Sequence, residues 1–164
     1  MKQNTTKKRI FLGVDAGSTK HVCKAIDDQK TLVWDTTVSN DHEGCGQVLK
    51  QITLWQEQGC EVWVAGEGTG GYLSPLDTRL SAQGCRYVNI LPAQFRHFRE
   101  MKGNSPDKDD EKDATLLAEL LKWLLEEEKA VPVPKKDSYF EELKTTSRGL
   151  VQMTENKVCT QNQL

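Results

Sequence analysis

The beginning of the chain alternates short apolar runs with short polar turns, which is typical of neighbouring β-strands. The run Ile10–Asp15 is apolar up to its terminal carboxylate, as expected of a central strand that is covered on both faces. The runs His21–Ile26 and Thr31–Val38 follow across tight turns and are rich in residues that favour strands. We therefore predict three antiparallel strands at the start of the chain.

Helical periodicity begins after these strands and then alternates with two more short apolar runs. A helix is predicted from a cap at Asn40 or Asp41 to about Gln58, because its apolar residues fall on one face. The later predicted elements are, in chain order, the strand Glu61–Ala65, the helix Tyr72–Gln83, the strand Cys85–Leu91, the short helix Ala93–Arg99 and the long helix Asp107–Lys129. The order β-β-β-α-β-α-β-α predicts an α/β fold with a mixed five-stranded sheet and a C-terminal helix, similar to the ribonuclease H-like topology.

The composition divides the chain into three parts. Residues 1–8 are polar and basic and are predicted to be a disordered arm, whereas residues 9–130 are predicted to form the single α/β domain. The segment Val131–Pro134 contains two prolines and marks a boundary. We interpret residues 131–164 as a proline linker followed by the start of a truncated helical segment, because the last helical pattern stops without a cap.

The chain has 164 residues and a net charge of −2, so its overall charge does not predict binding to nucleic acid. Its five cysteines are scattered and form no Cys-x-x-Cys pair. That spacing fits neither a zinc site nor a disulfide framework and predicts reduced thiols. No run approaches the roughly 18 apolar residues that can cross a bilayer, and the polar N-terminus does not resemble a signal peptide. We therefore predict a cytoplasmic protein with no membrane partner.

Four acidic residues stand where packing does not explain them. Asp15 and Glu67 each end an apolar strand, at the sheet edge where α/β proteins place ligands. Asp110 and Asp113 are three residues apart, so they share one helical face, at the N-terminal end of the apolar stripe. Four carboxylates directed at one point repel one another unless divalent cations join them, and hard oxygen ligands suit Mg²⁺ or Mn²⁺.

Each acid taken alone also has a structural explanation. The helix dipole favours acids in a first turn, so the Asp-rich segment could be a solvated helix start. Asp15 could likewise be a turn residue before Ala16 and Gly17. The combination of two strand-end acids with a same-face pair favours a two-ion site that acts on phosphodiesters.

Three segments carry a family resemblance. Gly13-Val14-Asp15, Glu67-Gly68-Thr69-Gly70-Gly71-Tyr72 and Lys108-Asp109-Asp110-Glu111-Lys112-Asp113-Ala114 resemble the N-terminal catalytic domain of DEDD-type insertion-sequence transposases, which include Piv-like DNA invertases. That domain is similar to RuvC, the Holliday-junction resolvase. By matching position, the resemblance implies catalytic and metal-binding roles for Asp15, Glu67, Asp110 and Asp113, with two Mg²⁺ or Mn²⁺ ions. It also implies cleavage or transfer of DNA strands during transposition, homo-oligomerisation and, in some members, a guide RNA.

Nucleic-acid contacts are predicted beside these acids. The glycine-rich loop after Glu67 has a backbone that can approach a phosphate closely, and basic residues flank the acidic helix. The predicted contacts are Thr69, Gly70, Arg96, Arg99, Lys102 and Lys108. For the basic residues, a solvated surface is an equally simple explanation.

Two other functions stay open at this point. Asp15–Lys20 also resembles the first phosphate loop of the sugar kinase and actin-like ATPases, in which the Asp positions Mg²⁺. That fold needs a second phosphate loop and gives Asp110 and Asp113 no role, so the ATPase domain is the alternative. A structural or RNA-binding remnant is the non-enzymatic possibility. The transposases continue into a domain with a nucleophilic serine, so we do not expect this truncated chain alone to complete strand exchange.

Overall fold

The computed structural model describes residues 7–67, 74–103 and 110–130. Its elements are, in chain order, β1 (Arg9–Ala16), β2 (Lys20–Asp27), β3 (Leu32–Ser39), α1 (His42–Glu57), β4 (Glu61–Glu67), α2 (Ser74–Ala82), β5 (Arg86–Ile90), α3 (Pro92–Met101) and α4 (Asp110–Glu126). This order confirms the predicted α/β class. Residues 1–6 of the predicted basic arm lie outside the described residues. The predicted linker and truncated helix at 131–164 also lie outside them.

The five strands form one mixed sheet in the order β3-β2-β1-β4-β5. Strands β1, β2 and β3 pair antiparallel, as the tight turns between them require. Strands β4 and β5 join through helical crossovers, and β1–β4 and β4–β5 are parallel. The apolar first strand is therefore central, and the predicted mixed sheet is confirmed.

Successive side chains of β1 point to opposite faces of the sheet, and each face has its own hydrophobic core. Ile10, Leu12 and Val14 belong to a cluster that includes buried residues of α1 and α2. Phe11 belongs to the other cluster, with the aromatic residues of α3 and the leucines of α4. By this alternation Gly13 and Asp15 lie on the α4 side.

Gly13 allows α4 to pack directly against the central strand. A Cβ atom added there would overlap the carbonyl oxygen of Ala114 and lie 2.7 Å from the backbone nitrogen of Ala118. Only a residue without a side chain permits so close an approach of helix and strand backbones. The first turn of α4 is consequently held beside the carboxyl end of β1.

The helix boundaries differ from the predicted ones in detail. Asp41, rather than Asn40, caps α1: its carboxylate accepts a 2.8 Å hydrogen bond from the Gly44 amide, while the Asn40 amide donates to the carbonyl of Gly17. Helix α4 ends at Glu126, not at Lys129. The reason is that Glu128 adopts a left-handed conformation, with φ of 55°, which turns the chain out of the helix.

The described cysteines are free thiols, and their burial divides them into two classes. Cys23 and Cys45 are buried, whereas Cys60 and Cys85 are partly exposed. Burial raises the pKa of the Cys23 thiol to about 12 and also raises that of Cys45. Since the thiolate is the reactive form, iodoacetamide should label Cys60 in the native chain and Cys23 only after unfolding. Peptide mass spectrometry measures this, and native labelling of Cys23 at the rate of Cys60 would contradict the packing of β2.

None of the helices in the described ranges combines the length and the apolar character that crossing a bilayer requires.

Candidate active site

Asp15 and Glu67 lie near the carboxyl ends of two adjacent strands of the sheet. In the parallel β1–β4 pair, Val14 lies opposite Gly66, so the next residue on each strand is one of the two acids. Trp63 and Ala65 belong to the cluster on the α4 face, and the alternation along β4 places Glu67 on that same face. Both acids are partly buried. The two predicted strand-end acids thus share one edge and one face of the sheet.

Asp113 lies deepest among the four predicted acids. Its side chain is 5% exposed, and it directly precedes Ala114, the residue against which Gly13 packs. The Nε atom of Arg99, from α3, lies 3.5 Å from Asp113 Oδ1. A buried carboxylate is strongly unfavourable without a cation, and the guanidinium meets that need here.

Asp110 is more open to solvent than Asp113. Its side chain is 42% exposed, and its Oδ2 atom lies 3.9 Å from Nζ of Lys20, which is itself 57% exposed. An ion pair between groups this exposed contributes little to stability. Asp110 is therefore the solvent-exposed acid of the helical pair, and Asp113 is the buried one.

Lys24 ties the sheet to the first turn of α4. Its ammonium donates a 2.8 Å hydrogen bond to Asp35 on β3 and lies 3.5 Å from Glu111 on α4. The hydrogen bond to Asp35, followed by the charges of both acids, raises the pKa of Lys24 above its ordinary value. Lys24 consequently stays charged at neutral pH and holds the acidic helix start against the strands.

The donor chemistry at this edge fits a divalent cation, because all four acids offer hard carboxylate oxygens. The geometry is less complete than the sequence suggested. In the part of the chain that the structure describes, no three His, Cys, Asp or Glu side chains stand together closely enough to hold a metal ion. Asp110 and Asp113 contact Lys20 and Arg99 instead.

The predicted nucleic-acid contacts have different environments. Arg96 is exposed on α3, Arg99 is engaged with Asp113, and Lys102 lies 2.7 Å from Glu119 and over the ring of Phe98. Thr69, Gly70 and Lys108 lie outside the described residues. Among the three predicted basic contacts that the structure describes, Arg96 thus has the environment most open to a phosphate.

The lysines that contact the acids of α4 are not among the site residues predicted from the sequence. Lys20 and Lys24 flank Val22 on one face of β2, and Val22 pairs with Asp15. The period of two along β2 could have placed both lysines on the side of Asp15. The pairing of Arg99 with Asp113 had no such signal, because it depends on how α3 and α4 pack.

Comparisons with known proteins find a matching family model and a similar protein of an insertion element. A family model described as "Transposase", for DEDD transposases of the IS110 type, matches residues 12–164. Over 110 residues the chain is 28% identical to the insertion element IS900 uncharacterized 42 kDa protein of Mycobacterium paratuberculosis. That alignment covers 67% of the chain and 27% of the relative, so the chain spans about a quarter of that protein's length.

Among solved structures, the fold is similar to that of T. thermophilus RuvC in complex with Holliday junction substrate. The TM-score is 0.56 with 16% sequence identity, and the match covers 76% of this chain and 99% of RuvC. This similarity confirms the predicted ribonuclease H-like, RuvC-like fold.

Proposed function

Because the chain belongs to the DEDD transposases of the IS110 type, whose family model matches residues 12–164, we propose that it is their catalytic domain and cleaves or transfers DNA phosphodiester strands. Asp15, Glu67, Asp110 and Asp113 are the proposed catalytic acids. One observation carries the assignment: β1 and β4 bring Asp15 and Glu67 to adjacent strand ends, on the face where Gly13 lets α4 pack closely at Ala114 and Ala118.

These four acids would hold the divalent ions, Mg²⁺ or Mn²⁺ and two in number. When bound, such ions activate an attacking oxygen and stabilise a leaving oxygen on phosphorus. The chain's own part is to place the carboxylates: the two strand ends fix Asp15 and Glu67, and Gly13 fixes the height of α4 above them. Lys24 anchors the same helix turn through Glu111.

The partners follow from the same proposal. DNA is the proposed substrate, and a guide RNA and homo-oligomerisation are further proposals. The proposed nucleic-acid contacts remain Thr69, Gly70, Arg96, Arg99, Lys102 and Lys108. A cytoplasmic location also stays a prediction.

The ATPase alternative finds no support. The matched family is a transposase family, and the match includes Asp110 and Asp113, for which a kinase-type phosphate loop has no use. Gly17 closes a tight turn through its amide, which donates to the carbonyl of Lys20. A turn of this kind joins β1 to β2 without requiring a bound phosphate.

Metal binding tests the proposal directly. We expect the chain to bind Mn²⁺, measured by electron paramagnetic resonance or calorimetry, with Mg²⁺ as a competitor. Asp113→Asn should weaken Mn²⁺ binding by about tenfold or more, because it removes one charged hard ligand.

Glu127→Gln is the control with the same loss of charge, since Glu127 is exposed beyond the C-terminal end of α4 and contacts Lys129. It should bind Mn²⁺ like the wild type. Equal Mn²⁺ affinity of wild type and Asp113→Asn, or Mg²⁺-dependent ATP binding that ignores both changes, would overturn the assignment.

A further inference from the structure

Arg99 is held in place by its own helix before it contacts Asp113. Its guanidinium carbon lies 5.8 Å from the ring centroid of Phe95, one turn earlier on α3, and Phe95 is buried against the sheet. The Arg99 side chain is only 21% exposed. A cation over an aromatic face, partly removed from water, keeps a defined position. The contact between Arg99 Nε and Asp113 Oδ1 is therefore a fixed part of the packing of α3 against α4, and not a transient ion pair at the surface.

The contact places a positive charge beside the carboxylate that a metal ion would need. A divalent cation at Asp113 requires direct coordination by its oxygens, and the positive guanidinium stands 3.5 Å from one of them. A divalent ion bound at Asp113 would be repelled by a guanidinium at this distance. Metal binding at Asp113 thus competes with Arg99, whereas the exposed pair of Lys20 with Asp110 offers much weaker competition.

We propose that Arg99 is a competing cation at the metal site: it holds Asp113 in the metal-free chain and has to withdraw before Asp113 can bind a divalent ion. Arg99 is thus a positioning residue that sets metal affinity. The proposal rests on the proposed metal site at Asp113. Its physical basis is that a ligand binds more weakly when the competent state of its site is only partly populated.

The test compares Mn²⁺ affinities of the whole chain by electron paramagnetic resonance for wild type, Arg99→Gln and Arg96→Gln. We expect Arg99→Gln to bind Mn²⁺ about tenfold more tightly, because the change removes a largely buried positive charge 3.5 Å from a carboxylate oxygen that would bind the ion. Arg96→Gln removes the same charge from the exposed side of the same helix and is expected to change the affinity much less.

The salt dependence of Mn²⁺ affinity distinguishes a direct effect of the Arg99–Asp113 contact from a general effect of net charge. Effects between exposed charges fade as the screening length falls from about 10 Å at roughly 0.1 M salt to about 3 Å at roughly 1 M. The tightening by Arg99→Gln should persist at high salt because the pair is largely buried. If Arg96→Gln tightens binding equally, or if high salt abolishes the difference, the effect is general charge and the inference is wrong.

The outcomes also separate this inference from the proposed function. Absence of Mn²⁺ binding in wild type overturns both, whereas binding that Asp113→Asn weakens but Arg99→Gln leaves unchanged overturns the inference alone. Should Arg99→Gln unfold without metal, the inference predicts that Mn²⁺ restores its circular dichroism by replacing the guanidinium. Failure of Mn²⁺ to refold it, while Arg99→Gln/Asp113→Asn folds, would contradict the competition.

Discussion

Asp15→Asn is expected to reduce Mn²⁺-dependent nicking of supercoiled DNA by about a thousandfold, which corresponds to about 4 kcal/mol of lost transition-state stabilisation. Asp15 lies within the central strand, next to the strand that carries Glu67, and the pairing of both strands fixes its place. Asn has the same size but neither the charge nor the affinity of a carboxylate for hard cations. The rate of appearance of nicked plasmid measures the effect.

The control and a second measurement show whether Asp15 acts in catalysis or only in folding. Glu57→Gln removes an exposed acid from the last turn of α1, on the opposite face of the sheet, and should leave nicking unchanged. Asp15→Asn should keep the wild-type circular dichroism spectrum while it loses nicking and Mn²⁺ affinity together. Nicking by Asp15→Asn at the wild-type rate would exclude Asp15 from the catalytic metal site.

The sequence predicted the sheet well because each strand carries its own local signal. The apolar run before Asp15 suits a strand covered on both faces, and tight turns left antiparallel pairing as the simplest connection. The end of α4 was predicted too late for a physical reason. Glu128 terminates the helix by adopting a left-handed conformation, which a residue with a side chain does rarely and which no local pattern announces.

The candidate site was predictable in part, because strand ends depend on topology and side-chain contacts depend on packing. Adjacent parallel strands bring Asp15 and Glu67 together whatever the rest of the chain does. The partner of Asp113 depends instead on how α3 crosses α4, which no periodicity in the sequence encodes. Arg99 was therefore predicted as a nucleic-acid contact, whereas in the structure it contacts the acid itself.

Gly13→Ala should destabilise the chain by about 3 kcal/mol and lower its melting temperature by about 10 °C. The added methyl group would meet the carbonyl of Ala114 and the amide nitrogen of Ala118, and these backbone atoms cannot rotate away as a side chain can. Helix α4 must then move off β1 or the strand must bend. Thermal unfolding followed by circular dichroism measures the loss.

Gly46→Ala is the matched control because it also adds one methyl group to a glycine. Gly46 lies inside α1, and a Cβ there meets no atom within 4 Å, so the change should stabilise the chain by about 0.5–1 kcal/mol. Equal melting temperatures for the two variants would mean that α4 does not approach β1 as closely as described.

The same variant links the packing of α4 to the proposed chemistry. Asp113 is the residue before Ala114, so any movement that relieves the clash at Gly13 also moves Asp113 relative to Asp15. Gly13→Ala should therefore weaken Mn²⁺ binding well below its melting temperature, whereas Gly46→Ala should not. Wild-type Mn²⁺ affinity in a strongly destabilised Gly13→Ala would show that α4 supplies no ligand, and the metal would then depend on the strand-end acids alone.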